Sequence, residues 1–134
     1  ISKYQALLLL NPTSHIGLRR MADALLRKAE FRDGKEADEL YEKAIAVYDT
    51  DIEAHDMEES HCHKVQAMID RAKNKAAEEE VKGIFNVTRK LLAEAKQAAL
   101  KVQDREEFIN SINEVLAYCR LQADAKKQTA ASPR

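Results

Sequence analysis

The stretch from Asp51 to Lys64 reads DIEAHDMEESHCHK and concentrates side chains that can do chemistry. It holds three of the four histidines of the chain, one of its two cysteines and five carboxylates. Imidazole, thiolate and carboxylate groups are the ligands that zinc and other transition metals take in proteins, and they also transfer protons. The stretch is therefore the candidate site of this sequence.

If this stretch is helical, its ligands divide between two faces. Apolar positions further along the chain fix the buried stripe at about 100° per residue; these positions are Val65, Ile69, Ala72 and Ala76. Extended backwards, the stripe passes through Glu58 and Cys62 and is flanked by His55 and His61. The remaining ligands of the stretch are expected to turn towards solvent.

The metal-site hypothesis uses the inward ligands, which are His55, Glu58, His61 and Cys62. Glu58 and His61 have the Glu-x-x-His spacing that supplies two ligands to carboxylate-bridged metal centres in helical bundles. Such a centre needs a second Glu-x-x-His, which the sequence does not contain. A mononuclear zinc site would instead add His15, or a carboxylate such as Glu107 or Glu114, from a facing helix.

The competing interpretation of the same stretch is an ordinary charged helix without a cofactor. Acids in a first helical turn complement the helix dipole, Glu59 and His63 form an i, i+4 pair on the solvent side, and Cys62 serves as a small apolar residue. We adopt this interpretation and keep a divalent transition metal such as zinc as the alternative. A pH response through His55 and His61 is a third possibility, because their protonation would relieve repulsion among the carboxylates.

Motifs for catalysis are missing from the sequence. It has neither a glycine-rich phosphate loop nor a nucleophile motif, and a Cys-His pair would need an orienting partner and a cleft. We therefore predict a non-enzymatic protein.

The composition predicts an all-α protein. Of 134 residues, 45% are apolar and 34% charged, with 5% aromatics and no tryptophan. Helix formers dominate, and the only prolines, Pro12 and Pro133, lie near the ends, so long helices are permitted. We predict one domain over residues 1–125 and a disordered tail over residues 126–134, which are poor in apolar side chains.

Apolar spacing predicts an elongated antiparallel bundle of four to five helices. The first helices are expected over residues 4–10, 15–31 and 34–49. A break is expected near residues 74–83, where basic residues give way to acidic ones.

Three capping-box patterns predict where helices begin, because a cap oxygen accepts the N3 amide while a glutamate returns to the cap amide. The pairs are Asp33 with Glu36, Thr50 with Glu53, and Asp104 with Glu107.

One helical hairpin carries a family resemblance. Ala37, Tyr41 and Ala44 have the small, aromatic, small spacing, within the letters ELYEKAI, that resembles the second helix of a tetratricopeptide repeat. The first-helix positions of that repeat fall on residues such as Ala24 and Lys28, and the pattern does not recur about 34 residues later. The resemblance implies a hairpin and not a solenoid, since a solenoid needs neighbouring repeats.

The charge distribution points to a protein partner. Residues 36–59 carry ten acids against one base, residues 1–31 carry five bases against two acids, and the net charge is -1. Without a basic excess, nucleic acid and anionic membrane are disfavoured, whereas the two unlike segments favour pairing within the chain or between copies in a homo-oligomer. The candidate partner-binding residues are Leu7, Leu8, Leu9, Leu10, Arg19 and Arg20. The arginines have a competing interpretation, as a solvated face or as partners of the acidic segment.

The two cysteines are too few for a disulfide scaffold, so reduced thiols and a cytoplasmic location are expected. The apolar run at residues 6–10 is too short to cross a bilayer. Because the chain begins at Ile1, we expect an excised domain or a processed product.

Overall fold

The computed structural model of this chain describes Ala6, Asn11 and residues 14–131, with side chains as far as residue 128. Five α-helices and no strand are found there, which confirms the all-α helical bundle. The helices are α1 (His15–Glu30), α2 (Gly34–His55), α3 (Glu58–Glu79), α4 (Asn86–Ala99) and α5 (Arg105–Ala131). The leucines at positions 7–10 lie outside the described residues.

The first helix begins and ends much as its sequence predicts. The Ser14 hydroxyl accepts a hydrogen bond from the Gly17 amide at 3.2 Å, which caps α1. Arg27 and Lys28 lie in its last turn, where cations complement the negative end of the helix dipole. Helices α2 and α5 begin directly after Asp33 and Asp104, as the patterns predict, but the Asp33 side chain makes no capping hydrogen bond, so the bonds predicted for that capping box are wrong.

The predicted helix start at Thr50 and Glu53 is wrong, because α2 continues to His55. The Thr50 hydroxyl donates to the Ala46 carbonyl at 3.1 Å, the bond that a threonine makes inside a helix. The chain turns at Asp56, which has left-handed backbone angles of φ 46° and ψ 51°. A local capping pattern is outweighed here because the last turns of α2 bury a face against two other helices.

Two further boundaries differ from the sequence expectations. Helix α3 runs to Glu79, so the break lies at residues 80–85, at the end of the range predicted for it. Within this turn Gly83 has φ +70°, and a side chain at that position would lie 2.6 Å from Cγ of Lys126 in α5. Helix α5 extends to Ala131, past Lys126, where the sequence predicts a disordered tail.

Consecutive helices run antiparallel, as the cross-contacts of α2 and α3 show. Ser60 contacts Asp51, whereas Arg71, further along α3, contacts Asp38, nearer the start of α2. Helices α1, α3 and α5 therefore run in one direction, and α2 and α4 run in the other.

The buried side chains form two main clusters that meet at α3. The cluster between α1 and α2 includes the three residues of the tetratricopeptide-like pattern; it consists of Leu25, Ala29, Ala37, Leu40, Tyr41 and Ala44. A larger cluster joins α3, α4 and α5 around Phe85, Leu92 and Ile112. Ala67 of α3 also packs with Ala22 and Tyr48, so α3 links both halves. None of the described helices has the length and apolarity needed to cross a lipid bilayer.

Candidate functional site

Of the four predicted metal ligands the structure brings two together, since the Cys62 thiol donates to Glu58 Oε2 at 3.7 Å, whereas the two histidines bind other neighbours. Glu58 is exposed rather than buried, and its Oε2 accepts the backbone N–H of Gln103 at 2.8 Å. His61 Nε2 lies 2.7 Å from Asp56 Oδ1. The ring of His55, at the end of α2, packs edge-on against another histidine ring at 5.6 Å.

Across the described residues, no group of three or more His, Cys, Asp or Glu side chains is arranged to hold a metal ion. The metal site at His55, Glu58, His61 and Cys62 therefore stays a prediction, which elemental analysis of the purified protein tests. Cys62 is half-buried, and burial followed by the charge of Glu58 raises the pKa of its thiol. A thiol that stays protonated is a weak nucleophile and a weak ligand.

The buried polar centre of the molecule is Asp51, whose exposure is 0%. Its two carboxylate oxygens lie 2.9 and 3.0 Å from Nδ1 of His15, and the Ser60 hydroxyl donates to Oδ2 at 2.6 Å. These side chains come from α2, α1 and α3, so the three helices meet at one carboxylate. Ser60 bonds to the carboxylate and not to the imidazole, so the group lacks the nucleophile-base pair of a hydrolase.

Sequence reasoning missed Asp51, which was assigned to the first turn of a helix. The signal that could have found it is its spacing. Asp51 follows Ala44 and Tyr48 at steps of seven and three residues and therefore lies on the buried stripe of α2.

Arg19 forms a second polar cluster between α1 and α3. Its Nη1 lies 2.5 Å from Glu59 Oε1, and its Nη2 lies 2.7 Å from Nε2 of His63. The Tyr48 hydroxyl donates to Asp23 at 2.7 Å beside this cluster. Arg19 is therefore paired with the acidic segment of its own chain, which agrees with the competing interpretation of that residue.

Glu59 is exposed, as expected, but His63 is half-buried beside Arg19, so the expectation that His63 faces solvent is wrong. Helix α1 covers this face of α3. The spacing of apolar residues along α3 does not show that a helix packs there, because the covered face is polar. Burial, and then the charge of Arg19, lower the pKa of His63. The hydrogen bond from Arg19 and its charge lower the pKa of Glu59.

A largely apolar groove, with a volume of about 300 Å³, lies between α3 and α5. The α3–α5 groove is lined by Lys73, Ala76, Ala77, Glu80, Glu114, Val115 and Tyr118. The Tyr118 hydroxyl donates to Glu80 across one end, and 42% of this tyrosine is exposed. The groove is therefore a strip of small and aromatic side chains with charges at its edges.

A second cleft lies over α3 between α2 and α4 and measures about 240 Å³. Both of its cations are already paired, since Lys64 lies 2.6 Å from Asp49 and Arg71 binds Asp38 at 2.8 Å. The α3–α5 groove is the better candidate because its apolar lining has no such internal partner.

No protein-family model, curated protein or solved structure matches this chain. The function is therefore argued from the geometry of the described residues.

Proposed function

We propose that this chain is a non-enzymatic helical interaction module that binds an amphipathic helix in the α3–α5 groove. The observation that carries the proposal is the apolar groove itself, open to solvent between two helices that α4 holds apart on the opposite side. A helix bound in a groove of this kind buries apolar side chains that would otherwise face water.

The groove has the shape that a docked helix needs. Ala76 and Ala77 present short side chains along α3, so the backbone of a bound helix can approach closely. Val115 and Tyr118 form the facing wall on α5. Aromatic side chains such as Tyr118 are enriched at protein interfaces, where they offer a large apolar body and a polar tip.

The charges around the groove favour one kind of helix. Glu80 and Glu114 lie on its edges against one cation, Lys73. Charges at the edge of an interface select the partner and its direction more than they add affinity. A helix with basic residues beside an apolar strip is therefore the expected ligand.

The apolar surface continues along α5 beyond the groove. Leu121, three residues after Tyr118 and on the same side of the helix, is 68% exposed. Exposed apolar residues that continue a groove mark interaction surfaces more often than single scattered ones do.

Synthetic amphipathic helices test this proposal. We expect a basic peptide of about 18 residues, with leucines on one face and arginines beside them, to shift the NMR amide signals of Ala76, Ala77 and Val115. An acidic peptide with the same leucines should bind at least about tenfold more weakly.

The Ala77→Arg substitution fills the groove and should abolish the binding of the basic peptide. Ala93→Arg is the matched control, since Ala93 is an exposed alanine on α4, outside the groove. Equal peptide binding by the two variants, or signal shifts confined to other surfaces, would refute the proposal.

A further inference from the structure

We infer that the helix that occupies the α3–α5 groove is α1 of a second copy of this chain, so that copies associate head to tail. This inference rests on the proposed function, because it names the partner of the same groove. It is drawn from the outer face of α1 and from the charges on the two surfaces.

The outer face of α1 is an exposed stripe with apolar ends and a basic middle. Its residues recur at steps of three and four, which places them on one side of the helix; they are Ile16, Arg20, Ala24, Arg27 and Phe31. Ile16 is 64% exposed and Phe31, which directly follows the last residue of α1, is 77% exposed, whereas Ala24 is half-buried. We call these five residues the α1 stripe.

The α1 stripe lies opposite the side of α1 that packs in its own molecule. Leu18, Leu25 and Ala29 are buried on the inner side, towards α2. Arg19 binds Glu59, but Arg20 and Arg27 form no ion pair with any residue that the structure describes. Both arginines are therefore available to a partner.

The charges on the two surfaces are complementary. Along α3 Lys73 comes seven residues before Glu80, and on the facing α5 Glu114 lies one turn before Tyr118, which bonds Glu80. The charges of the α1 stripe are Arg20 and Arg27. Glu30 lies outside the stripe, on the side of α1 where its charge acts on Tyr41 and Asp70 of the same chain. An α1 that lies antiparallel to α3 therefore brings Arg27 to Glu114 and Arg20 to Glu80.

The lengths are compatible with this pairing. Lys73 and Glu80 are seven residues apart, or about 10 Å along α3, and Arg27 and Arg20 are also seven residues apart, or about 10 Å along α1. Ala24, between the two arginines, would then face the alanines of α3.

The two surfaces cannot meet within one molecule. Helix α1 is fixed against α2 by the cluster around Leu25 and Tyr41, whereas the groove lies on the far side of α3. Contact between α1 of one copy and the α3–α5 groove of another is heterologous, so it builds open chains or closed rings.

Two half-blocked variants test the head-to-tail contact. Arg20→Glu with Arg27→Glu reverses the charge of the α1 stripe and leaves the groove intact, whereas Ala77→Arg fills the groove and leaves the stripe intact. By sedimentation at concentrations up to about 1 mM, wild-type chains should assemble beyond the dimer, and each variant alone should stay monomeric. A mixture of the two variants should form a one-to-one dimer and nothing larger, because one intact stripe and one intact groove remain.

A charge exchange provides a second test that does not depend on filling the groove. Arg27→Glu and Glu114→Arg should each weaken assembly at least about tenfold, and the chain that carries both should regain it. Arg89→Glu on the exposed face of α4 is the matched control and should leave assembly unchanged. Circular dichroism checks that every variant is folded.

Each other outcome overturns the inference in a recognisable way. If the wild type, or the mixture of the two variants, stays monomeric, the groove is not occupied by a second copy. If the basic peptide still binds, the proposed function stands without this inference. If the peptide does not bind either, the inference and the proposed function are both wrong. Loss of assembly on deletion of residues 1–12 would assign the groove to Leu7–Leu10. Assembly that survives in both half-blocked variants would show an interface elsewhere.

Discussion

Asp51 is the residue on which the junction of three helices depends. It is fully buried and accepts hydrogen bonds from His15 and Ser60. A buried polar group that loses its only partner keeps the cost of desolvation without the bond.

Asp51→Ala should therefore lower the free energy of unfolding by about 2–4 kcal/mol, measured by urea denaturation. Asp49→Ala is the control, because Asp49 is exposed and pairs only with Lys64, a surface bond worth less than about 1 kcal/mol. Similar losses in the two variants would contradict the role given to Asp51.

His63 should make stability depend on pH. Burial and the charge of Arg19 lower its pKa below 6.5, although Asp23 and Glu59 oppose this. The unfolded chain then takes up the proton more readily than the folded one. The stability that neutral His63 contributes is complete above its unfolded pKa and is lost as the pH falls from there through the folded pKa, with a slope of up to about 1.4 kcal/mol per pH unit.

Urea denaturation of the wild type and of His63→Gln, between about pH 7.5 and 5, measures this effect. Glutamine can still accept a hydrogen bond from Arg19 but does not titrate, so its stability should fall less over this range. The same slope in both proteins would assign the pH dependence to other groups.

At the scale of helices, α3 holds its neighbours through a glutamate at each end. Phe85, before α4, makes no side-chain capping bond. Glu79 of α3 takes that place, because it accepts the amides of Val87 at 3.1 Å and Thr88 at 2.8 Å and the Thr88 hydroxyl at 2.6 Å. At the other end Glu58 accepts the Gln103 amide, before α5.

Glu79→Ala should therefore lower the free energy of unfolding by about 1–2 kcal/mol, the usual cost of losing a helix cap. Glu78→Ala is the matched control, since Glu78 forms only an i, i+3 pair with Lys75 on the surface. Guanidinium or urea unfolding compares the two. If the control loses as much as Glu79→Ala, the capping role is wrong.

Helix type and most helix starts could be read from the sequence because they depend on neighbours along the chain. Asp33 and Asp104 precede helices as their patterns predict, and Ser14 caps α1. The pattern at Thr50 wrongly predicted a helix start, because contacts with other helices keep this part of α2 helical. Asp51, the next residue, bonds His15 and Ser60, which are far from it in sequence or on another helix. The cap of α4 was equally hidden, since its carboxylate comes from the preceding helix.

At the scale of the whole molecule, α3 packs against both halves of the bundle. Val65, Ile69 and Ala72 pack with α4 and α5, and Ala67 packs with α1 and α2. A helix that packs against neighbours on both sides unfolds only when the whole bundle unfolds. Helix α1 packs mainly against α2 and can unfold more easily.

Hydrogen-exchange mass spectrometry should therefore find the slowest amides in residues 65–72 and faster exchange in α1. The difference should persist at several protein concentrations below assembly, since assembly protects α1 as well. Slower exchange in α1 than in α3 for the monomer would contradict this order of stability.

The candidate site could be predicted less well than the fold. The uneven charge predicted that the basic segment 1–31 pairs with the acidic segment 36–59, within the chain or between copies, and the bond from Arg19 to Glu59 is such a pairing within the chain. The α3–α5 groove could not be predicted, because residues 76 and 115 are brought together only by the turn at Gly83 and the packing of α4. The side chains of the predicted metal site are close along the chain, but in the fold only Cys62 and Glu58 contact each other, and His55 and His61 bind other neighbours.

The two glutamates at the ends of α3 also fix the length of that helix. Glu58 and Glu79 are 21 residues apart, or about 32 Å, and each must reach an amide on the same neighbouring hairpin. Removing any single residue between them would turn one carboxylate by about 100° and draw it about 1.5 Å closer, so one of the two bonds would be lost wherever the deletion fell. The length of α3 is therefore constrained more tightly than the identity of the exposed residues along it.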